Sequence, residues 1–231
     1  MAQIKKLFNQ ERVPLHKVLP LDTPFAVEIE PANFCNSKCK FCYYSHESDA
    51  SIKGIGMGGA SQLMSDETFE LLLEQIKSFP SKVKKVGMAG MGEPLMHPKL
   101  PIFIKRLKNE AGVERVVINT NGLKLNKKLS MDLIEAGLDR LQISVNGLSS
   151  QMYKENCNVD IDFDDFKNQI AFYFENKQSA TVTCKMLDCC FGEDESEADF
   201  FKAFENICDE MDVERTIPVF ERSGVDYDSI K

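Results

Sequence analysis

Apolar residues along the chain alternate between two periods, that of a strand and that of a helix. Phe25-Ala26-Val27-Glu28-Ile29-Glu30 alternates apolar with polar or small residues and breaks at Pro31-Ala32-Asn33, as a short strand entering a loop does. Ser65 with Asp66 and Glu67 supplies a cap and first-turn negative charge, and Phe69, Leu72, Leu73, Ile76 and Phe79 then recur at helical spacing. After Pro80 the pattern predicts a strand over 83–89, a helix over 100–109 and a strand over 113–118. A helix over 127–136 should end at Gly137, a left-handed cap, and a strand over 138–145 follows. Residues 164–176 read as helix, 180–187 as strand, 195–210 as helix and 213–220 as strand, with Pro218 suggesting a sheet edge.

Six strands alternating with helices imply an α/β fold of parallel strands joined by right-handed crossovers, either an open doubly wound sheet or a partial barrel. Residues 1–23 lack a period and read as an N-terminal arm, with 24–231 as one domain. The glycine- and serine-rich stretch 51–62 reads as a connection.

Composition narrows the function. The 231 residues suffice for one core, and 43% hydrophobic with 28% charged residues is globular. Twenty-eight basic against thirty-six acidic residues, net charge -8, argue against general nucleic acid binding. No run is long enough to span a membrane, and Met-Ala-Gln-Ile-Lys-Lys does not open a signal peptide, so a cytoplasmic protein is expected. Eight cysteines in a reducing compartment are metal ligands or buried thiols rather than disulfides.

The strongest chemical signal is Cys35-Asn36-Ser37-Lys38-Cys39-Lys40-Phe41-Cys42, a C-x3-C-x2-C run just after the first of these strands. Thiolates are the soft ligands that iron–sulfur clusters and zinc select. Three of them on a four-iron cluster leave one iron open to a reactant. With His46 four residues on, the same cysteines can instead close a Cys3His zinc site, the mark of a non-enzymatic interaction module.

With Phe41 before its third cysteine, the run resembles the hallmark of the radical S-adenosylmethionine (radical SAM) superfamily. Gly90-Met91-Gly92-Glu93-Pro94, Thr120-Asn121-Gly122 and Ser144-Val145-Asn146-Gly147, each ending a predicted strand, are similar to further motifs of that family. The resemblance implies a partial (β/α)6 barrel of parallel strands. It also implies an oxidoreductase in which Cys35, Cys39 and Cys42 hold a 4Fe-4S cluster and S-adenosyl-L-methionine binds its open iron. Reductive cleavage of that cofactor would give methionine and a 5′-deoxyadenosyl radical that abstracts a substrate hydrogen. Phe41 would flank the adenine, Gly90, Gly92 and Glu93 the methionyl end, and Asn121 and Ser144 the nucleoside. Asn146 departs from the aspartate of many relatives.

The implied partners are an electron donor such as flavodoxin or ferredoxin and a small-molecule or peptide substrate, a peptide, sugar or cofactor precursor. The motifs look most like the branch that often carries a C-terminal SPASM-type domain with auxiliary clusters, and no further paired cysteines follow Cys208. A glycyl-radical activating enzyme and a deazapurine-ring synthase have similar lengths.

Other residues carry less. Thr181, Thr183 and Lys185 share one strand face, from which Lys185 can meet a ligand carboxylate. His97 reads as a helix-entry residue, and Cys157, Cys184, Cys189, Cys190 and Cys208 as buried or incidental thiols, the alternative for adjacent Cys189 and Cys190 after a strand end being a second cluster or the substrate. Gly54-Ile55-Gly56-Met57-Gly58-Gly59 satisfies G-x-G-x-x-G but has neither the preceding strand nor the prompt helix of a dinucleotide site.

Overall fold

A computed structural model describes residues 2–6, 14–42, 45 and 61–216. His46, the 54–59 glycine run and Pro218 lie outside the described residues.

Seven parallel strands form one open sheet in the order β1-β7-β6-β5-β4-β3-β2. The strands are β1 (Gln3–Ile4), β2 (Ala26–Ile29), β3 (Lys85–Met88), β4 (Arg115–Thr120), β5 (Arg140–Val145), β6 (Thr181–Leu187) and β7 (Glu210–Glu214). The helices are α1 (Asp66–Lys77), α2 (Leu100–Asn109), α3 (Lys127–Glu135), α4 (Ser150–Cys157), α5 (Phe163–Asn176) and α6 (Glu197–Phe204). From β2 to β7 each strand pairs with the next in sequence, so each connection returns the chain to the same end of the sheet. Among the described residues β1 and β2 form the two edges and do not pair with each other, so the sheet is a partial barrel.

The sheet has two chemically different faces because side chains alternate along every strand. Ile29, Val86, Met88, Val116, Ile118, Leu141, Ile143, Val145, Val182, Cys184, Met186 and Met211 are buried on one face. Helices cover that face with Phe69, Leu73, Phe103, Leu107, Phe166, Ile170, Phe200 and Phe204, each burial contributing about 1.5–3 kcal/mol. Phe69 of α1 and Phe103 of α2 stack with ring centroids 3.9 Å apart. The opposite face is polar. Register aligns Gln142 with Thr183 and Glu210, and Ser144 with Lys185 and Asp212. A partial barrel with helices outside therefore presents a hydrogen-bonding interior.

Local signals explain the helix ends. The Ser65 side chain accepts from the Thr68 N–H, a cap of about 1 kcal/mol. After α3, Gly137 N–H donates to the Ile134 carbonyl and Leu138 N–H to the Leu133 carbonyl, the paired bonds of a Schellman turn. α6 starts where Ser196 and Asp199 form a capping box.

Three features differ from the sequence expectation. Residues 3–4 join the sheet as β1, held by the Lys5–Glu210 ion pair at 2.7 Å. α6 stops at Phe204 and the last described strand begins at Glu210, earlier than expected, because acidic Glu210 faces the Arg140 guanidinium at 2.6 Å and the Lys5 ammonium. α4 was not expected from the pattern; only Met152, Tyr153, Asn156 and Cys157 of its eight residues are buried.

Candidate functional site

The C-x3-C-x2-C segment leaves the C-terminal end of β2 and lies beside the ends of β3, β4 and β5. Ligands of parallel α/β folds bind at such strand ends. The loop is held at several points. Met64 N–H donates to the Pro31 carbonyl at 2.8 Å, and Glu93 N–H donates to the Phe34 carbonyl at 2.9 Å. The C-terminal end of α4 supplies the rest: Lys38 N–H donates to the Cys157 carbonyl and Lys40 N–H to the Asn156 carbonyl, both at 2.8 Å. Carbonyls at a helix end lack partners within the helix, and here the cysteine loop satisfies two of them.

The Ser37 hydroxyl lies between two of the three sulfurs, 3.3 Å from Cys35 Sγ and 3.4 Å from Cys39 Sγ. Cys42 follows one turn on, its N–H donating to the Cys39 carbonyl at 3.0 Å. Side-chain amides aim at the same sulfurs, Asn121 Nδ2 at 3.5 Å from Cys35 Sγ and Asn146 Nδ2 at 3.9 Å from Cys39 Sγ. Burial pushes the Cys35 thiol up, whereas Cys39 is held below the usual thiol value chiefly by its contact with Cys157. Among the described residues, no three His, Cys, Asp or Glu side chains close around one point as ligands of a single ion. A 4Fe-4S cluster sets a different demand, since each thiolate sits on its own iron. Three thiols on one anchored loop, with amide donors turned toward two of them, suit it.

The glycine-rich turn packs against this loop. A Cβ on Gly92 would lie 2.0 Å from the Ala32 carbonyl oxygen, so a side chain there would push the two segments apart. Gly90 has φ of 145°, which L side chains rarely adopt. Met91 N–H and Gly92 N–H both donate to the Glu30 carboxylate, at 2.5 and 3.2 Å. Glu30 thus ties the base of the cysteine loop to the turn, a role with no local sequence signal because its partners lie sixty residues away.

Each described residue singled out in the sequence has a definite place. Glu93 is buried and accepts from Leu95 N–H, the Thr120 hydroxyl and Asn121 N–H, bracing the end of β3 against that of β4. Desolvation raises its pKa, opposed by those three bonds. Asn121 is buried, with its amide turned to Asn36 Oδ1 at 2.7 Å and to the loop sulfur and hydroxyl. Phe41 packs partly buried against the core. Ser144 sits half-buried on the polar face beside Lys185, whose ammonium is paired with Glu214 at 2.9 Å. His97 is buried before α2, its Nε2 3.0 Å from the Met64 carbonyl, and so is structural.

The sequence reading passed over Asn156 as well as Glu30. Asn156 Nδ2 donates to the Asn146 carbonyl at 2.7 Å and the Cys190 carbonyl at 3.0 Å, tying α4 to the ends of β5 and β6. Cys190 is buried, and its half-buried neighbour Cys189 lies on the short turn that follows β6.

Comparison with known proteins agrees with this geometry. Residues 29–204 match the Radical SAM superfamily. A GTP 3′,8-cyclase of Chlorobaculum tepidum is 31% identical over 48% of this chain and 29% of its own length. The Limosilactobacillus fermentum GTP 3′,8-cyclase is 31% identical over 66% of this chain and 40% of its own. The chain thus spans less than half the length of these relatives. Streptococcus suis SuiB, solved bound to S-adenosylmethionine, superposes with a TM-score of 0.66 over 92% of this chain and 45% of its own, at 18% identity, which shows a shared fold. From residue 29 to residue 204 the chain belongs to the radical SAM superfamily, enzymes that bind a 4Fe-4S cluster and S-adenosylmethionine.

Proposed function

We propose that Cys35, Cys39 and Cys42 hold a 4Fe-4S cluster with one iron left open for S-adenosylmethionine, and that the polar face of the sheet receives the substrate. The observation that carries this reading is the seating of the cysteine loop on Gly92, with two of its sulfurs flanking Ser37. When bound, the two cofactors supply one-electron cleavage of the sulfonium carbon–sulfur bond to methionine and a 5′-deoxyadenosyl radical that takes a hydrogen atom from the substrate.

The chain's own residues orient and enclose. Gly90 and Gly92 keep the turn free of side chains where the methionyl end would lie, and Glu30 fixes the turn's N–H groups. Glu93 sets the spacing of the β3 and β4 ends while retaining a lone pair for an ammonium. Asn121 and Ser144 would flank the nucleoside from neighbouring strand ends, and Phe41 would back the adenine. Lys185 would meet a ligand carboxylate by exchanging its bond with Glu214. Uncharged Gln142, Ser144 and Thr183, together with the internally paired Arg140–Glu210 and Lys185–Glu214, suit a polar substrate such as a peptide, sugar or cofactor precursor. The electron would come from a flavodoxin or ferredoxin.

The rival zinc site requires His46, and neither the family match nor the relatives favour it. Anaerobic reconstitution with iron and sulfide, then reduction with dithionite and S-adenosylmethionine, should yield 5′-deoxyadenosine and methionine. Cys42→Ala should abolish both. Undiminished product from Cys42→Ala would overturn the ligand assignment.

A further inference from the structure

We propose that Cys157, outside the cysteine motif, tunes the cluster by donating a hydrogen bond from its thiol to the Cys39 thiolate. The inference rests on Cys39 being an iron ligand. The two sulfurs lie 3.3 Å apart and both residues are buried. A liganding thiolate has no proton, so with Cys39 on iron the proton of the pair belongs to Cys157, which then donates.

The contact is set by backbone rather than by chance packing. Lys38 and Lys40, on either side of Cys39, hydrogen-bond the carbonyls of Cys157 and Asn156, and Asn156 is anchored in turn to Asn146 and Cys190. Those bonds fix the cysteine loop against the end of α4 at the point where the two sulfurs meet. Two other donors face the Cys39 sulfur, the Ser37 hydroxyl at 3.4 Å and Asn146 Nδ2 at 3.9 Å.

A donor to a cluster sulfur favours the more negative, reduced cluster and so raises its potential. Cys157 is therefore a positioning residue for electron density, not a ligand. In the anaerobically reconstituted protein, Cys157→Ala should keep the iron and sulfide content of the parent. Its one-electron reduction equilibrium should be about tenfold less favourable, a midpoint roughly 59 mV lower. Cys157→Ser, which keeps a donor, should recover most of the shift. On the unmodified protein, transfer to D2O should shift an iron–thiolate stretching band in the resonance Raman spectrum, and that shift should be smaller in Cys157→Ala, where the Ser37 hydroxyl and the Asn121 and Asn146 amides remain.

An unchanged midpoint in Cys157→Ala, or a D2O shift that the substitution does not diminish, overturns the donor role while leaving the cluster assignment intact. Loss of iron from folded Cys157→Ala makes Cys157 a ligand and overturns it as well. A parent protein that assembles no cluster removes the reading beneath both.

Discussion

The Thr120 hydroxyl, at the end of β4, donates to the Glu93 carboxylate after β3 at 2.5 Å, and Glu93 takes Asn121 N–H on its other oxygen. One buried side chain therefore fixes the spacing of two strand ends that border the cysteine loop. Glu93→Gln would turn an amide N–H2 toward a group that is itself a donor. The expected cost is about 1–3 kcal/mol, read as a lower urea midpoint at unchanged slope.

Gly92 carries the contact between the turn and the cysteine loop. Gly92→Ala forces its new Cβ against the Ala32 carbonyl, which is backbone and cannot rotate away. Binding of S-adenosylmethionine to the reconstituted protein, measured by anaerobic calorimetry, should weaken at least tenfold, about 1.4 kcal/mol. Gly112→Ala, in the turn before the N-terminal end of β4 and so at the other end of the strands, should leave affinity unchanged.

The acid limb of stability should depend on Glu210. Burial acts to raise its pKa, but Lys5 and Arg140 together bring it below the ordinary value of 4.5. A depressed carboxylate stabilises the fold fully above its unfolded pKa and loses that contribution as pH falls through the folded value. As pH falls below about 4.5 the parent should lose stability faster than Glu210→Gln. The effect is on the order of 1 kcal/mol, since Lys5 is nearly half exposed. Parallel curves would show that the ion pairs contribute nothing.

Cys189 should be the reactive thiol of the metal-free protein. The hydrogen bond with Cys190 is the main influence that brings its pKa to about 6, against the effect of burial. Cys190 is pushed the other way by the same bond and by burial. Iodoacetamide should alkylate Cys189 in the folded protein with a pH midpoint near 6, and Cys190 only after unfolding. Cys190→Ala should move the Cys189 midpoint upward.

Much of this architecture was legible because it is encoded locally. Ser65 caps α1, Gly137 closes α3, and Leu141, Ile143 and Val145 alternate with polar neighbours to define β5. The cysteine spacing and the turn around Gly92 pointed to the ends of strands, where the structure brings them into contact. What escaped was non-local. Gln3–Ile4 forms a strand because β7 offers an edge, and the acidic start of β7 makes sense beside Arg140 and Lys5. α4 has a weak apolar stripe, yet its terminal carbonyls anchor the cysteine loop, and neither Asn156 nor Cys157 stands in a recognisable motif. Glu30 looks like an ordinary strand-end carboxylate until Met91 and Gly92 are folded onto it.

The central claim is an iron–sulfur centre with one position open to S-adenosylmethionine. Low-temperature electron paramagnetic resonance of the dithionite-reduced, reconstituted protein tests it most directly. The signal of a reduced 4Fe-4S cluster should appear and change in g-values when S-adenosylmethionine is added. A spectrum indifferent to that addition, or a protein that holds zinc and no iron under the same conditions, would contradict it.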